Sequence, residues 1–369
     1  MFKEINIPHE ALSRHLQTTY GAPVDSITEI GSGFHAVGYE IQFSGENPRV
    51  FLRVIDPHNF GHDLVSGRME SLLEAVHPLP HSLPTHAILG ITATGEIVDI
   101  SQISEVVAVA QLLPEGTTNL CSELRTPTST DAENRALAKR LEPKALAMAQ
   151  AMAEIHELPY TGDLQAAASL YQRSLRAVIH DDELTAGVKD LFNFSQISWV
   201  SHEDVVRFMA DMERVRHSLG VHSERLTRVH GDYWANNIYF SKDNEIIITD
   251  GRIVWGEPVI DLGWMIGEFL MQDLVRFGHF GEDFTRIAQN AVDEYSKLRG
   301  DTQIANYIGL PYAFQAFAES FFTPDLPEQT RRELFATAWG ALRSHLSGKP
   351  FDLNSMNIYT ARGLDLLES

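Results

Sequence analysis

Between Val229 and Asp261 the chain reads VHGDYWANNIYFSKDNEIIITDGRIVWGEPVID. Asp232 follows His230 and Gly231, Asn237 comes five residues after it, and Asp250 closes a short apolar run. A carboxylate set against a hydroxyl can accept its proton. An amide oxygen and a second carboxylate are hard oxygen donors of the kind that hold magnesium against phosphates. Transfer of a phosphoryl group from a nucleotide needs that set, and the step from Asp232 to Asn237 equals the D-x-x-x-x-N of kinase catalytic loops. Asn236 is the rival for Asn237 but lacks that spacing. Taken singly these residues mean little, because H-x-D is common and an aspartate ending a strand is usually a turn residue. Their order and spacing carry the reading.

Such groups must be held by a frame. Ile246, Ile247 and Ile248 form a β-branched run, and Lys242-Asp243-Asn244 before them is turn-forming. The pattern predicts a hairpin with Asp250 at the exit of its second strand. Residues 261–270, DLGWMIGEFL, predict an apolar helix directly behind it.

On HGDYWANN, on ITD at Asp250 and on GEPVIDLGW, the chain resembles the aminoglycoside phosphotransferase and choline kinase family of small-molecule kinases. The HGD-x-W-x-NN wording is also similar to the ecdysteroid-kinase-like branch. The resemblance covers about residues 25–270 and is strong between 229 and 264. It implies an α+β, bilobal, protein-kinase-like fold: a small N-terminal antiparallel-sheet lobe and a larger, mainly helical C-terminal lobe. The expected division is a nucleotide lobe over 1–110, a hinge over 111–116 (QLLPEG) and a catalytic and acceptor lobe over 117–369. The expected cofactors are ATP and Mg2+, with Asp232 taking or orienting the hydroxyl proton and Asn237 and Asp250 holding the metal. In such relatives an aspartate placed like Asp261 ties its helix to the catalytic loop. His230 is expected to hold that loop by a backbone hydrogen bond, and His156 to be a packed structural group.

Upstream, residues 8–20 predict an amphipathic helix, followed by strands around Gly31-Ser32-Gly33. Glycines there permit a close approach to phosphate oxygens, but an ordinary hairpin turn would look the same. Residues 49–55 (RVFLRVI) predict a third strand, where kinases keep a phosphate-contacting cation. Arg53 takes that place here, and choline kinases are similar in using arginine. An arginine keeps its charge and can fork onto two oxygens. Its expected partner is Glu70, with Glu74 one turn later as competitor. Strands are predicted near 87–91 and 106–111. The resemblance implies that backbone groups of the hinge, Gln111 and Leu113 among them, hold the adenine. Residues 117–143 read as a polar stretch with a loop at 126–130, and Pro143 is expected to open a helix running to Leu158.

Lys plus Arg is 29 against 50 Asp plus Glu, a net charge of −21, with 44% apolar residues. That balance argues against nucleic-acid backbones and anionic membranes as partners and is compatible with a cationic small molecule. One cysteine, Cys121, cannot form an internal disulfide and suggests a reducing compartment. No apolar run is long enough to span a membrane and residues 1–20 lack a signal-peptide pattern, so a cytoplasmic place is expected. The acceptor is an open choice among an aminoglycoside, choline, ethanolamine or similar amino alcohol, a neutral sugar and a steroid-like alcohol. Glu268 and Glu319 are candidate partners for an ammonium, against the usual surface fate of glutamates. A fold that binds nucleotide without transferring phosphate is the alternative of a different class. Its cheap discriminator is whether magnesium changes the thermal shift that ATP produces.

Overall fold

Alternation in the strand Val50–Ile55 puts Val50, Leu52 and Val54 on one buried face, with Phe51 and Arg53 on the other. Onto the buried face come Ile41 and Phe43 of the neighbouring strand and Leu12 and Leu16 of the first helix. The computed structural model describes residues 9–32, 36–45, 49–55, 80–83, 85–91, 97–98, 105–178, 197–251, 254–281, 283–323 and 325–368. Within it the chain divides into two compact units, Met1–Thr117 and Thr118–Ser369.

The first unit holds α1 (His9–Tyr20) and six strands: β1 (Val24–Ser32), β2 (Ala36–Phe43), β3 (Val50–Ile55), β4 (Thr85–Ile91), β5 (Ile97–Val98) and β6 (Glu105–Gln111). They form one antiparallel sheet in the order β1-β2-β3-β6-β4-β5. Gly31 of β1 pairs with Gly38 of β2, and Gly38 pairs with Arg53 of β3. Gln111 ends β6 opposite Val50. Gly33, Glu70 and Glu74 lie outside the described residues.

The second unit is mainly helical, as expected. Its strands are short: β7 (Thr118–Asn119), β8 (Thr227–Val229), β9 (Ile238–Phe240), β10 (Ile246–Ile248) and β11 (Val254–Gly256). β9 and β10 form the predicted hairpin, with β7 on its free edge, and β8 pairs with β11. The helices are α2 (Leu120–Leu124), α3 (Asp131–Ile155), α4 (Leu164–Ala177), α5 (His202–Leu219), α6 (Val259–Phe277), α7 (Asp283–Arg299), α8 (Ile304–Tyr307), α9 (Gly309–Phe322), α10 (Glu328–Leu346) and α11 (Met356–Leu367).

One expectation is corrected. The helix expected to open at Pro143 begins at Asp131 and carries Pro143 inside it. Thr130 accepts from the Glu133 N–H while the Glu133 carboxylate reaches back to the Thr130 N–H, a capping box that starts the helix. Pro143 cannot donate to the Lys139 carbonyl, yet Leu137 and Leu141 before it and Met148 and Met152 after it are all buried. Packing on both sides outweighs the one lost hydrogen bond.

α6 is apolar nearly all round and buried from Val259 to Leu274 except at Trp264. Its glycines let α9 come close: a Cβ at Gly263 would meet Pro311 at 2.7 Å, and one at Gly267 would meet Gln315 at 2.5 Å. This central helix is the platform beneath the loop that carries Asp232. Among the described residues no helix is long and apolar enough to cross a membrane.

Candidate active site

β8 delivers the chain into the loop His230–Asn237, where Gly231 sits at φ +80°, a left-handed value that a side chain would resist. The turn points two consecutive amides the same way. His230 N–H donates to Asp261 Oδ2 at 2.7 Å and Gly231 N–H to Asp261 Oδ1 at 2.9 Å. The His230 ring is held at both nitrogens: Nδ1 accepts from the Asp232 N–H at 3.1 Å, and Nε2 lies 3.0 Å from the Thr249 carbonyl. These partners require the Nε2–H tautomer, with His230 acting through the backbone as the sequence suggested. Tyr233, fully buried, anchors the loop to α3 by donating to the Met148 carbonyl at 2.9 Å.

Asn237 closes the loop on itself. Its Nδ2 donates to the Asp232 carbonyl at 2.9 Å and to Asp232 Oδ2 at 3.1 Å. Asn237 is 7% exposed, while the Asp232 side chain is only partly buried. Asn236 diverges from it: its carbonyl is tied to Asn119 Nδ2 at 2.8 Å. The Asn237 carbonyl accepts from Thr249 N–H at 2.9 Å and Thr249 Oγ1 at 3.3 Å. Asp250 therefore follows a residue bonded directly to Asn237 and His230. Asp250 is exposed and adopts φ +56°, a strained region that aspartate tolerates better than most residues. Its charge reaches Tyr239, whose hydroxyl is pushed above its ordinary value by burial and then by Asp250.

Asp261 is wholly buried in α6 and takes a third hydrogen bond, from His156 Nε2 at 3.0 Å. Burial alone would raise its pKa, but the His156 hydrogen bond, the histidine charges and the loop amides hold it below the usual carboxylate range. His156 Nδ1 lies 2.7 Å from the Tyr295 hydroxyl of α7, so His156 is packed and satisfied at both nitrogens, as read from the sequence. One turn before Asp261, the buried Glu257 is clamped by Arg225: Nε lies 2.8 Å from Oε2 and Nη2 2.7 Å from Oε1. Since Arg225 precedes β8 and Glu257 follows β11, the clamp locks both approaches to the loop.

The second unit thus brings Asp232, Asn237 and Asp250 onto one hydrogen-bonded frame, with His230, His156 and Asp261 beneath it. In the first unit, Arg53 stands in register with Gly38 and Gly31, on the sheet face opposite the apolar core. Gln111 is exposed at the end of its strand, and Leu113 follows in irregular chain. Glu268 and Glu319 are 3% and 7% exposed, not surface groups. Thr249, Asn119 and Tyr295 have no motif in the sequence to mark them. Only the fold puts Tyr295 against His156, 139 residues away.

A family model described as the phosphotransferase enzyme family matches residues 26–300. A spectinomycin phosphotransferase solved in complex with ADP and spectinomycin is similar over 98% of this chain and 100% of its own, at 13% identity and a TM-score of 0.47. The choline kinase of Streptococcus pneumoniae is similar over 98% of each chain, at 12% identity and a TM-score of 0.47. A putative fructosamine-3-kinase of Thermobifida fusca is similar over 93% of this chain and 100% of its own, at 15% identity and a TM-score of 0.47. No curated protein matches at a significant level.

Proposed function

The chain belongs to the phosphotransferase enzyme family, and from that premise we propose that it moves the γ-phosphate of ATP to a hydroxyl of a small molecule. The observation that carries the reading is the frame joining Asp232, Asn237 and Asp250 through Thr249 and Asp261. Asp232 accepts the hydroxyl proton or orients the hydroxyl for in-line attack. The transition state of such a transfer is loose, so position and charge neutralisation supply most of the acceleration. Asp261 keeps the loop fixed while this happens, and His230 holds Thr249, hence Asp250, to the same frame.

The donor set fits magnesium. Asn237 spends its Nδ2 on Asp232 and keeps an amide oxygen of the right hardness, and Asp250 is an exposed carboxylate one residue from Asn237's hydrogen-bond partner. An ion shared with phosphates needs only one or two protein carboxylates. Asn237 and Asp250 would hold it, and it would neutralise charge on the phosphate oxygens. In the first unit, Gly31, Ser32 and Gly33 would approach the phosphates, and Arg53 would contact them with Glu70 as its partner. Residues 111–116 would act as the hinge between a nucleotide part and a catalytic part, with Gln111 and Leu113 offering backbone groups to the adenine. The net charge of −21 supports a cationic acceptor, an aminoglycoside or an amino alcohol, over an anionic one.

The test is release of ADP from ATP and magnesium against a panel of amino alcohols, aminoglycosides, sugars and sterols, with the product identified by mass. One phosphorylated alcohol, formed by the natural chain and not by Asp232→Asn, is the expected result. Equal ADP release by both proteins across the panel would overturn the assignment. A neutral sugar as best acceptor would remove the cationic reading alone.

A further inference from the structure

α6 carries a second buried carboxylate seven residues beyond Asp261, two turns along the same face of the helix. Asp261 receives the amides of His230 and Gly231 at the start of the loop. Glu268 receives the backbone N–H of Ala235, the first residue of the 3-10 turn Ala235–Asn237. One helix thus grips both ends of the segment that brings Asn237 to Asp232. We infer that Glu268 is a positioning residue for phosphoryl transfer, fixing the turn that presents the Asn237 side chain to the Asp232 carboxylate. The inference rests on the roles proposed above for those two residues.

The packing behind Glu268 is built to hold it still. Gly267 leaves room for the side chain of Gln315 to lie against α6, and Gln315 Nε2 donates to Glu268 Oε1 and to Glu319 Oε1, each at 3.2 Å. Glu319 is fixed in turn by the Thr323 hydroxyl. All three residues are more than nine-tenths buried. Glu268 is therefore engaged on both sides, by the loop and by α9. A side chain serving as a counter-charge for a substrate ammonium needs its negative charge. A side chain serving as a hold on Ala235 needs only an acceptor oxygen, and a carboxamide supplies one. Gln315 Oε1, buried and without a partner, can turn to receive the new amide.

That difference decides the experiment, made on the full chain with Glu268→Gln and Glu268→Leu. Three quantities are read: hydrogen exchange of the peptide spanning residues 230–240, melting temperature, and ADP release with the best acceptor of the panel. Glu268→Leu should exchange at least about tenfold faster in that peptide and lose about tenfold in kcat, with KM for ATP and for the acceptor within twofold. Its melting temperature should hold or rise, since an apolar group replaces one member of a buried acid pair. Glu268→Gln should stay within twofold of the natural chain throughout. Unchanged exchange in Glu268→Leu would overturn the inference, and so would a raised acceptor KM in both variants with kcat intact, which marks a ligand for substrate charge. If Glu268→Leu does not fold, Gly267→Ala displaces Gln315 from behind and should loosen the same peptide; no change there counts against the inference. Absence of ADP release by the natural chain would defeat the proposed function, while the exchange measurement still decides whether Glu268 holds the loop.

Discussion

Asn237 donates its side-chain amide to Asp232 at two points, the carbonyl at 2.9 Å and the carboxylate at 3.1 Å. The proposed metal-holding residue thereby also aims the proposed base. A single change at either position should for that reason damage the chemistry more than nucleotide binding. Asp232→Asn keeps the shape but removes the proton acceptor, and a fall in kcat of about 10²–10⁴ is expected, with AMP-PNP affinity within twofold. A kcat within threefold of the natural value would take Asp232 out of the reaction.

Asp250 combines an exposed carboxylate with φ +56°. Alanine at such a position adds roughly 1–2 kcal/mol of backbone strain, whereas asparagine tolerates it. Asp250→Asn is the cleaner probe, since it removes charge without disturbing the turn. The melting temperature should not move, and the gain in nucleotide affinity that magnesium brings should fall by more than tenfold. Titration of AMP-PNP with and without magnesium measures this. An undiminished magnesium effect would exclude Asp250 from the site.

At Asp261 two backbone amides and His156 converge on a carboxylate with no exposure. Asp261→Asn must turn its amide nitrogen toward one of these donors. Breaking such a buried set costs about 3–5 kcal/mol, which for a unit of this size lowers the melting temperature by roughly 6–20 °C. Because the Asp261 pKa lies below its ordinary value of 3.8, the carboxylate stabilises the fold above that pH. The contribution is lost as pH falls through the depressed folded value. The natural chain and Asp261→Asn should therefore converge in stability below about pH 4, followed by thermal melts across an acid series.

The reacting set was legible because its order and spacing are covalent: the loop, the hairpin and Asp250 stand where the pattern put them. His230 and Asp261 were legible only through resemblance, since a hydrogen bond across 31 residues has no local signature. The start of α3 was misread for want of weight on Thr130-x-x-Glu133, a capping box plain in the sequence but set against Pro143, a strong punctuator that packing overrode. Glu268 and Glu319 were placed with surface groups, although GWMIGEFLMQ gives Glu268 an apolar setting on every side. Their burial depends on how closely α9 approaches Gly267, and that distance is fixed in three dimensions.

Glu319 gives the last expectation, with the sign opposite to that of Asp261. Burial raises its pKa above the ordinary 4.5, while the Thr323 hydroxyl and the charge of Arg125 pull the other way. Facing it are Glu268, itself raised by burial and then by Glu319, and the amide of Gln315. An acid whose folded pKa is raised binds more protons folded than unfolded, so stability falls as pH climbs from about 4.5 through the raised value. Glu319→Gln removes that titrating group while keeping a polar partner for Gln315 and Thr323. Below pH 4.5 the variant and the natural chain should melt together; at pH 8 the variant should melt higher. Thermal melts at fixed ionic strength between pH 4 and pH 8 check this. A gap that stays constant over the range would mean that the Glu319 carboxylate is not raised by its surroundings and that the two acids do not share a dry environment.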